Sequence, residues 1–351
     1  MFGSYKVIVV TAAGRRRYMQ YLIPQVLSSG IVDRYDLWVN TMDIQDIEFF
    51  KIMSAKYPII NLVWQPDGIV NGNKSINAFY KYCIEEDSIY FKLDDDIVWM
   101  EDGLIEKMVK FRVDNPDFFL VTPLVINNAL TTYLFQVANK IKLNIYYKAS
   151  SYHPILWESG KFALDLHNWF LRNYLYKDKV NELHLNGAKP MALTRFSINS
   201  IMWFGSIMKE MKGVVVGDDE EYLSCIYPAM KGLCNAWNGD SVCAHFAFFT
   251  QRESLDKENI LDQYGKYLEG KWEKDEKMRR IYTDVQDAIR YVSLHKEEFP
   301  LAPYKRIVEA KPKESSEVVD CLKQLIRLML PNSLVKKVYE NHLRKVRYIL
   351  E

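Results

Sequence analysis

The sequence predicts an α/β fold: a mostly parallel central sheet flanked by helices, with a helical extension at the C-terminal end. Three observations predict it. Short apolar runs rich in β-branched residues recur through the first 125 residues. Between them lie segments with apolar residues at helical spacing, and this strand–helix alternation implies parallel strands covered on both faces. From Asp256 onward the chain is charged and helix-like, without strand runs.

The elements follow in order. Lys6 to Ala12 (KVIVVTA) reads as a buried strand, and Tyr18 to Leu27 as a helix ending before Ser28-Ser29-Gly30. YDLWVNT and INLVWQ are the second and third strands, with a helix over Ile44 to Tyr57 between them. Lys74 to Glu86 carries Ile76, Phe79, Tyr80, Cys83 and Ile84 on one helical face. The strand SIYFKL then runs directly into Asp94-Asp95-Asp96, and Asp102 is placed to cap the next helix. DFFLVTPLVI is a further strand. Residues 127 to 200 lose the rhythm and read as a helical or irregular insert over the active edge of the sheet. Order returns with GVVVGDDEEYLSCIYPAM, read as strand, acidic turn and helix, and with the strand SVCAHFAFFTQR. The expected division is a catalytic domain over 1–255, with halves at about 1–125 and 126–255, and an extension over 256–351.

Composition narrows the function classes. The chain has 351 residues, 49% hydrophobic and 26% charged, as a folded globular protein requires. A net charge of +1 gives no electrostatic footprint for nucleic acid, and no nucleic-acid partner is expected. Five cysteines without a Cys-x-x-Cys pair argue against a disulfide scaffold or a zinc ribbon. No signal peptide is visible and no apolar stretch approaches 18 or so residues. A cytoplasmic protein is the expectation. The 14% aromatic content suits either a large core or a cleft in which rings stack on sugars.

Three consecutive aspartates after a buried strand need a physical reason. Adjacent carboxylates raise one another's pKa, and a divalent cation with a bound diphosphate removes that cost. In open α/β sheets the carboxyl edge is also where ligands bind. A plain acidic turn is the competing reading.

IYFKLDDDIVWM resembles the Asp-x-Asp motif of the GT-A glycosyltransferases, a Rossmann-like fold, and of their family 2-like members of bacterial polysaccharide type. The resemblance covers about residues 5 to 250. It implies a metal-dependent enzyme that moves a sugar from a nucleotide-sugar, with UDP the commoner base, to a saccharide or lipid-linked acceptor. Carried over, Asp94 faces the donor sugar or ribose and Asp96 ligates Mn²⁺ or Mg²⁺. Asp95 assists through solvent. VVVGDDEEYLS resembles the acidic turn of inverting members, which makes Asp219 the general base and Asp218 an acceptor-binding partner in catalysis. His245 corresponds to the late histidine that completes the metal shell, so the implied ligand set is Asp96, Asp94 and His245. In the donor half, Thr11, Ala12 and Arg15 after the first strand, Asp43 after the second, and Asn71, Gly72 and Lys74 at a helix start are the donor-binding candidates. Gln251 and Arg252 are placed to reach phosphates.

Trp157, His167, Trp169, Arg195, Asn199 and Trp203 are the candidates for the acceptor cleft, with Trp203 its sugar platform. Lys323, Arg327, Lys336, Lys337, Arg344, Lys345 and Arg347 make the last segments basic and amphipathic. They suit packing, dimerisation or peripheral contact with the inner face of a membrane, near lipid-linked acceptors. Two rivals remain: a sugar nucleotidyltransferase, against which TAAGRRR is a poor phosphate loop, and a non-catalytic carbohydrate-binding protein on the same fold.

Overall fold

The computed structural model describes residues 2–304. The basic C-terminal segments lie outside the described residues. The chain runs β1 (Lys6–Ala13), α1 (Arg16–Ser28), β2 (Arg34–Val39), α2 (Ile44–Lys56), β3 (Ile60–Trp64), β4 (Ser88–Leu93), β5 (Ile97–Met100), α3 (Leu104–Asp114), β6 (Phe118–Ile126) and α4 (Ala129–Val137). After a long irregular stretch come α5 (Gly160–Asn173), β7 (Ala188–Met191), β8 (Ser200–Phe204), α6 (Gly205–Glu210), α7 (Asp219–Glu221), α8 (Tyr227–Lys231) and β9 (Cys234–His245). Three helices close the described chain: α9 (Arg252–Lys257), α10 (Ile260–Trp272) and α11 (Glu276–Leu294).

All nine strands join one sheet in the order β3-β2-β1-β4-β8-β6-β9-β5, with β7 added on β9. β1, β2, β3 and β4 are mutually parallel. β8 runs antiparallel to both β4 and β6, which turns β6 and its parallel partner β9 in the direction of β1. Six carboxyl ends therefore lie along one edge. Val7, Ile8, Val9 and Val10 of β1 have no exposure at all, as expected of a parallel strand covered on both faces.

The Asp triplet occupies the crossing from β4, in the middle of the sheet, to β5 at its far edge. Its backbone is pinned on both sides. The Asp94 amide donates to the Asn199 carbonyl at 2.8 Å, and the Phe246 amide donates to the Asp96 carbonyl at 2.8 Å. His167 of α5 braces the same corner. Its Nε2 bonds the Phe246 carbonyl at 2.8 Å, and its Nδ1 meets the Tyr264 hydroxyl at 2.9 Å.

That histidine carries a stability prediction. Burial pushes it down to about 4 from an ordinary 6.5, so it is neutral when folded. Between those values the unfolded chain binds a proton that the folded chain does not, so stability must fall as pH drops through the window. The full effect is about 3 kcal/mol. Urea unfolding at pH 7 and pH 4.5 should show this loss, and His167→Gln, which does not titrate, should reduce it. An unchanged pH slope in the variant would refute the assignment.

Several elements differ from expectation. Lys74–Glu86 is no α-helix; only a 3-10 segment forms, over Ile76–Tyr82. Its polar residues are spent elsewhere: Ser75 Oγ donates to Asn40 Oδ1 at 2.7 Å, and Asn77 Nδ2 donates to the Val215 and Gly217 carbonyls. The 213–216 run is consequently a loop and not a strand. It lies so close to the 3-10 segment that a Cβ on Gly213 would stand 2.3 Å from Lys81 Cα. Asp102 does not cap α3; Gly103, in the left-handed region, precedes that helix, and Asp102 pairs with Lys271.

The helices after residue 255 are helical as expected, but they share the main core. The described residues belong to one compact unit. Tyr264 and Val285 are fully buried, and Gly265 admits Tyr21 so closely that a Cβ there would lie 2.4 Å from its hydroxyl oxygen. Among the described residues no helix is long and apolar enough to cross a membrane.

Candidate active site

A cleft of about 700 Å³ opens along the edge where the six strands end. That volume suits a small-molecule site. One wall is the Asp triplet. Asp94 accepts from Lys92 Nζ and, at 3.3 Å, from Asn199 Nδ2. Lys92 is 2% exposed and also donates to the Ile198 carbonyl at 3.2 Å. Burial works against its charge, but Asp94 and Asp219 together raise its pKa. A lysine in an otherwise apolar strand needs an anionic partner, and here the strand's own end supplies it.

Asp95 does not act through solvent. It is 4% exposed and wholly engaged by the Gly14 amide at 3.2 Å and by the Arg15 guanidinium. Burial pushes its carboxyl up, against the pull of Arg15. Asp96 is held in its ionised form. Burial opposes its charge, but Arg15 at 3.0 Å, His245 at 3.4 Å and Arg252 at 4.0 Å hold it well below the usual carboxylate range.

The expected ligand set is only partly assembled. Asp96 Oδ1 and His245 Nε2 face each other in the cleft, both almost fully buried. Asp94 lines the same cleft, but its carboxyl is bonded to Lys92 and Asn199. Among the described residues no three His, Cys, Asp or Glu side chains form a metal-holding group. An oxygen and an imidazole nitrogen fit as the two protein ligands of a divalent ion whose remaining ligands are phosphate and water.

An acidic turn, Asp218 to Glu220, lines the same cleft. Asp218 caps α7 by accepting from the Glu221 amide at 2.9 Å. Asp219 accepts from the Tyr80 hydroxyl at 3.1 Å. Burial pushes Asp219 above the ordinary aspartate range, and Asp94 adds to this, while Lys92 pulls it down. Glu220, bonded to Arg195 at 2.8 Å, is raised by burial to about 7. Arg195 also reaches Asp218 at 3.0 Å, so it organises the acidic turn.

The remaining candidates divide clearly. Ala12, Arg15, Lys74, Asn199, Arg195, Trp157 and Arg252 line the cleft. Thr11 does not: it is fully buried and bonded to the Tyr35 hydroxyl at 3.1 Å. Asp43 caps α2 through the Gln45 amide and pairs with Arg16, outside the cleft. Trp203 cannot be a sugar platform, because it has no exposure and its ring is stacked on Tyr90. His167 is buried, and Trp169 packs on Phe135 and Tyr174. Gln251 is buried and bonded within the protein, and the Asn71 amide is taken by Ser75. Sequence reasoning missed Lys92 and Glu220, and also Tyr152, Phe248 and Phe249, which line the cleft from irregular segments.

No protein-family model matches the chain, and no curated protein matches it in sequence. Among solved structures it is similar to a CMP:2-keto-3-deoxy-manno-octonic acid synthetase complexed with CTP, at 11% identity and a TM-score of 0.40, over 73% of this chain and 98% of that one. It is similar also to a 4-diphosphocytidyl-2C-methyl-D-erythritol synthase from Anaerococcus prevotii DSM 20548, at 13% identity and a TM-score of 0.40, over 74% and 99%. A further structure, named as a 4-diphosphocytidyl-2C-methyl-D-erythritol synthase, has 6% identity and a TM-score of 0.37, over 74% of this chain and 99% of that one. Scores of this size do not bear on reaction or substrate.

Proposed function

We propose that this chain is a metal-dependent, inverting glycosyltransferase of GT-A type that takes its sugar from a nucleotide-sugar. The supporting observation is that the Asp96–His245 pair and the carboxyl of Asp219 line one cleft. Asp96 and His245 would hold Mn²⁺ or Mg²⁺, which when bound supplies Lewis-acid stabilisation of a leaving diphosphate. Arg15 and Arg252, already beside Asp96, add positive charge where phosphate oxygens would lie.

Asp219 is suited to the general-base role. Tyr80 fixes one of its oxygens, and Lys92 offsets part of the burial that would otherwise keep it protonated. As the acceptor oxygen bonds to the anomeric carbon and the bond to the leaving phosphate oxygen breaks, its proton passes to Asp219. Attack from the side opposite the leaving group inverts the configuration. Asn199 and Lys92 hold Asp94 beside the donor position.

Nucleotidyl transfer is the second reading. Arg15, Lys74 and Arg252 line one cleft, and such a set of cations also suits a triphosphate. The two reactions release different products. Incubation of the full chain with Mn²⁺ and a panel of UDP-, GDP- and CMP-sugars should release the free nucleotide from at least one donor. Pyrophosphate from nucleoside triphosphate and sugar 1-phosphate, with no release from any nucleotide-sugar, would overturn the first reading in favour of the second.

A further inference from the structure

We propose that Trp157, Tyr152, Phe248 and Phe249 form the acceptor subsite, and that its ligand is a pyranoside bound by its apolar ring face. The inference rests on the glycosyltransferase reading for the word acceptor, but the ligand chemistry stands on the wall alone. Two segments far apart in sequence build it. Trp157 meets Tyr152 edge-on at 5.1 Å, Phe248 at 5.6 Å and Phe249 at 6.0 Å. Gln251, with no exposure, staples the segments together: it donates to the Trp157 carbonyl at 2.7 Å and accepts from the Phe248 amide at 3.1 Å.

Two of the rings stand open to solvent. Phe249 is 70% exposed and Tyr152 48%, an unusual state for rings held so near a cleft of this size. Their faces carry the negative side of the ring quadrupole, which attracts the polarised C–H groups on one face of a pyranose. Both ends of the wall touch the chemistry. At one end Phe248 packs on His245 with centroids 4.7 Å apart. At the other, the Arg195 guanidinium lies 4.5 Å over Tyr152 while binding Asp218 and Glu220. A sugar laid on the rings therefore spans from the Asp96–His245 corner to the acidic turn, with its hydroxyls toward the carboxylates. A nucleobase would have the ends of β1 and β2 available to it, where Ala12, Gly14 and Asn40 line the same cleft.

Saturation-transfer difference NMR on the full chain tests this without requiring turnover. The probes are the methyl pyranosides of glucose, galactose, mannose and N-acetylglucosamine, with UDP as counter-probe. At least one pyranoside should receive saturation, strongest at ring C–H positions. Phe249→Ala and Trp157→Ala should each weaken that signal at least threefold, and Trp157→Phe should retain it. Phe249 is exposed, so its variant keeps the test decisive if Trp157→Ala does not fold. No signal from any pyranoside, a signal indifferent to both alanine variants, or losses confined to UDP would each overturn the proposal. Pyranoside binding to the wall in a chain that transfers no sugar would remove the glycosyltransferase reading and leave the subsite.

Discussion

Asp219→Asn is expected to lower kcat for sugar transfer by on the order of 10³-fold, within the range of a lost general base. The amide keeps the size of the carboxyl and can still accept from Tyr80, but it cannot take the acceptor's proton. Asp219 is raised by burial and by Asp94, so the acid limb of kcat/KM should lie above the ordinary aspartate range. Lys92 is the nearby charge that opposes this rise. Removing it in Lys92→Met disfavours the ionised carboxylate further, so the limb should move to higher pH. Near-full activity in Asp219→Asn, or a limb that stays or moves down in Lys92→Met, would refute the assignment of the base.

Asp96→Asn is expected to cost at least 10²-fold in rate at a fixed metal concentration, with a weakened dependence on Mn²⁺. Asp96 is the triplet member whose charge is secured, by Arg15, His245 and Arg252 despite its burial. Asparagine retains one oxygen but loses the charge that a hard cation requires. Asp95→Asn should cost less, because that carboxylate is already consumed by Gly14 and Arg15. Initial rates against Mn²⁺ concentration for the two variants measure the order. Equal losses, or a greater loss at Asp95, would contradict the division of roles within the triplet.

Much of the fold was legible because buried parallel strands write themselves as continuous apolar runs: VIVV of β1 and FFLVTPLVI of β6 could hardly be anything else. The triplet was legible because like charges at a buried strand's end need a cause. The segment from Lys74 to Glu86 misled because its spacing is helical while its asparagines and serine bond to neighbouring loops, a tertiary effect that periodicity does not carry. Trp203 misled for a related reason. Read as a sugar platform, it lies within β8, and its ring stacks on Tyr90. Lys92 could have been found, since a lone cation in SIYFKL has to be neutralised, and the aspartates directly after it are the nearest anions. Tyr152 and Phe249 could not: the run read as a strand through Phe249 leaves the sheet after His245, and the two rings meet only through Trp157, a tertiary contact.

Calorimetric titration of UDP into the full chain, with and without Mn²⁺, tests most directly whether the acidic edge of the sheet is a cation and diphosphate site. Binding that requires the metal, and that Asp96→Asn abolishes, is the predicted result. Equal binding with and without Mn²⁺, or equal metal-dependent binding in Asp96→Asn, would contradict it.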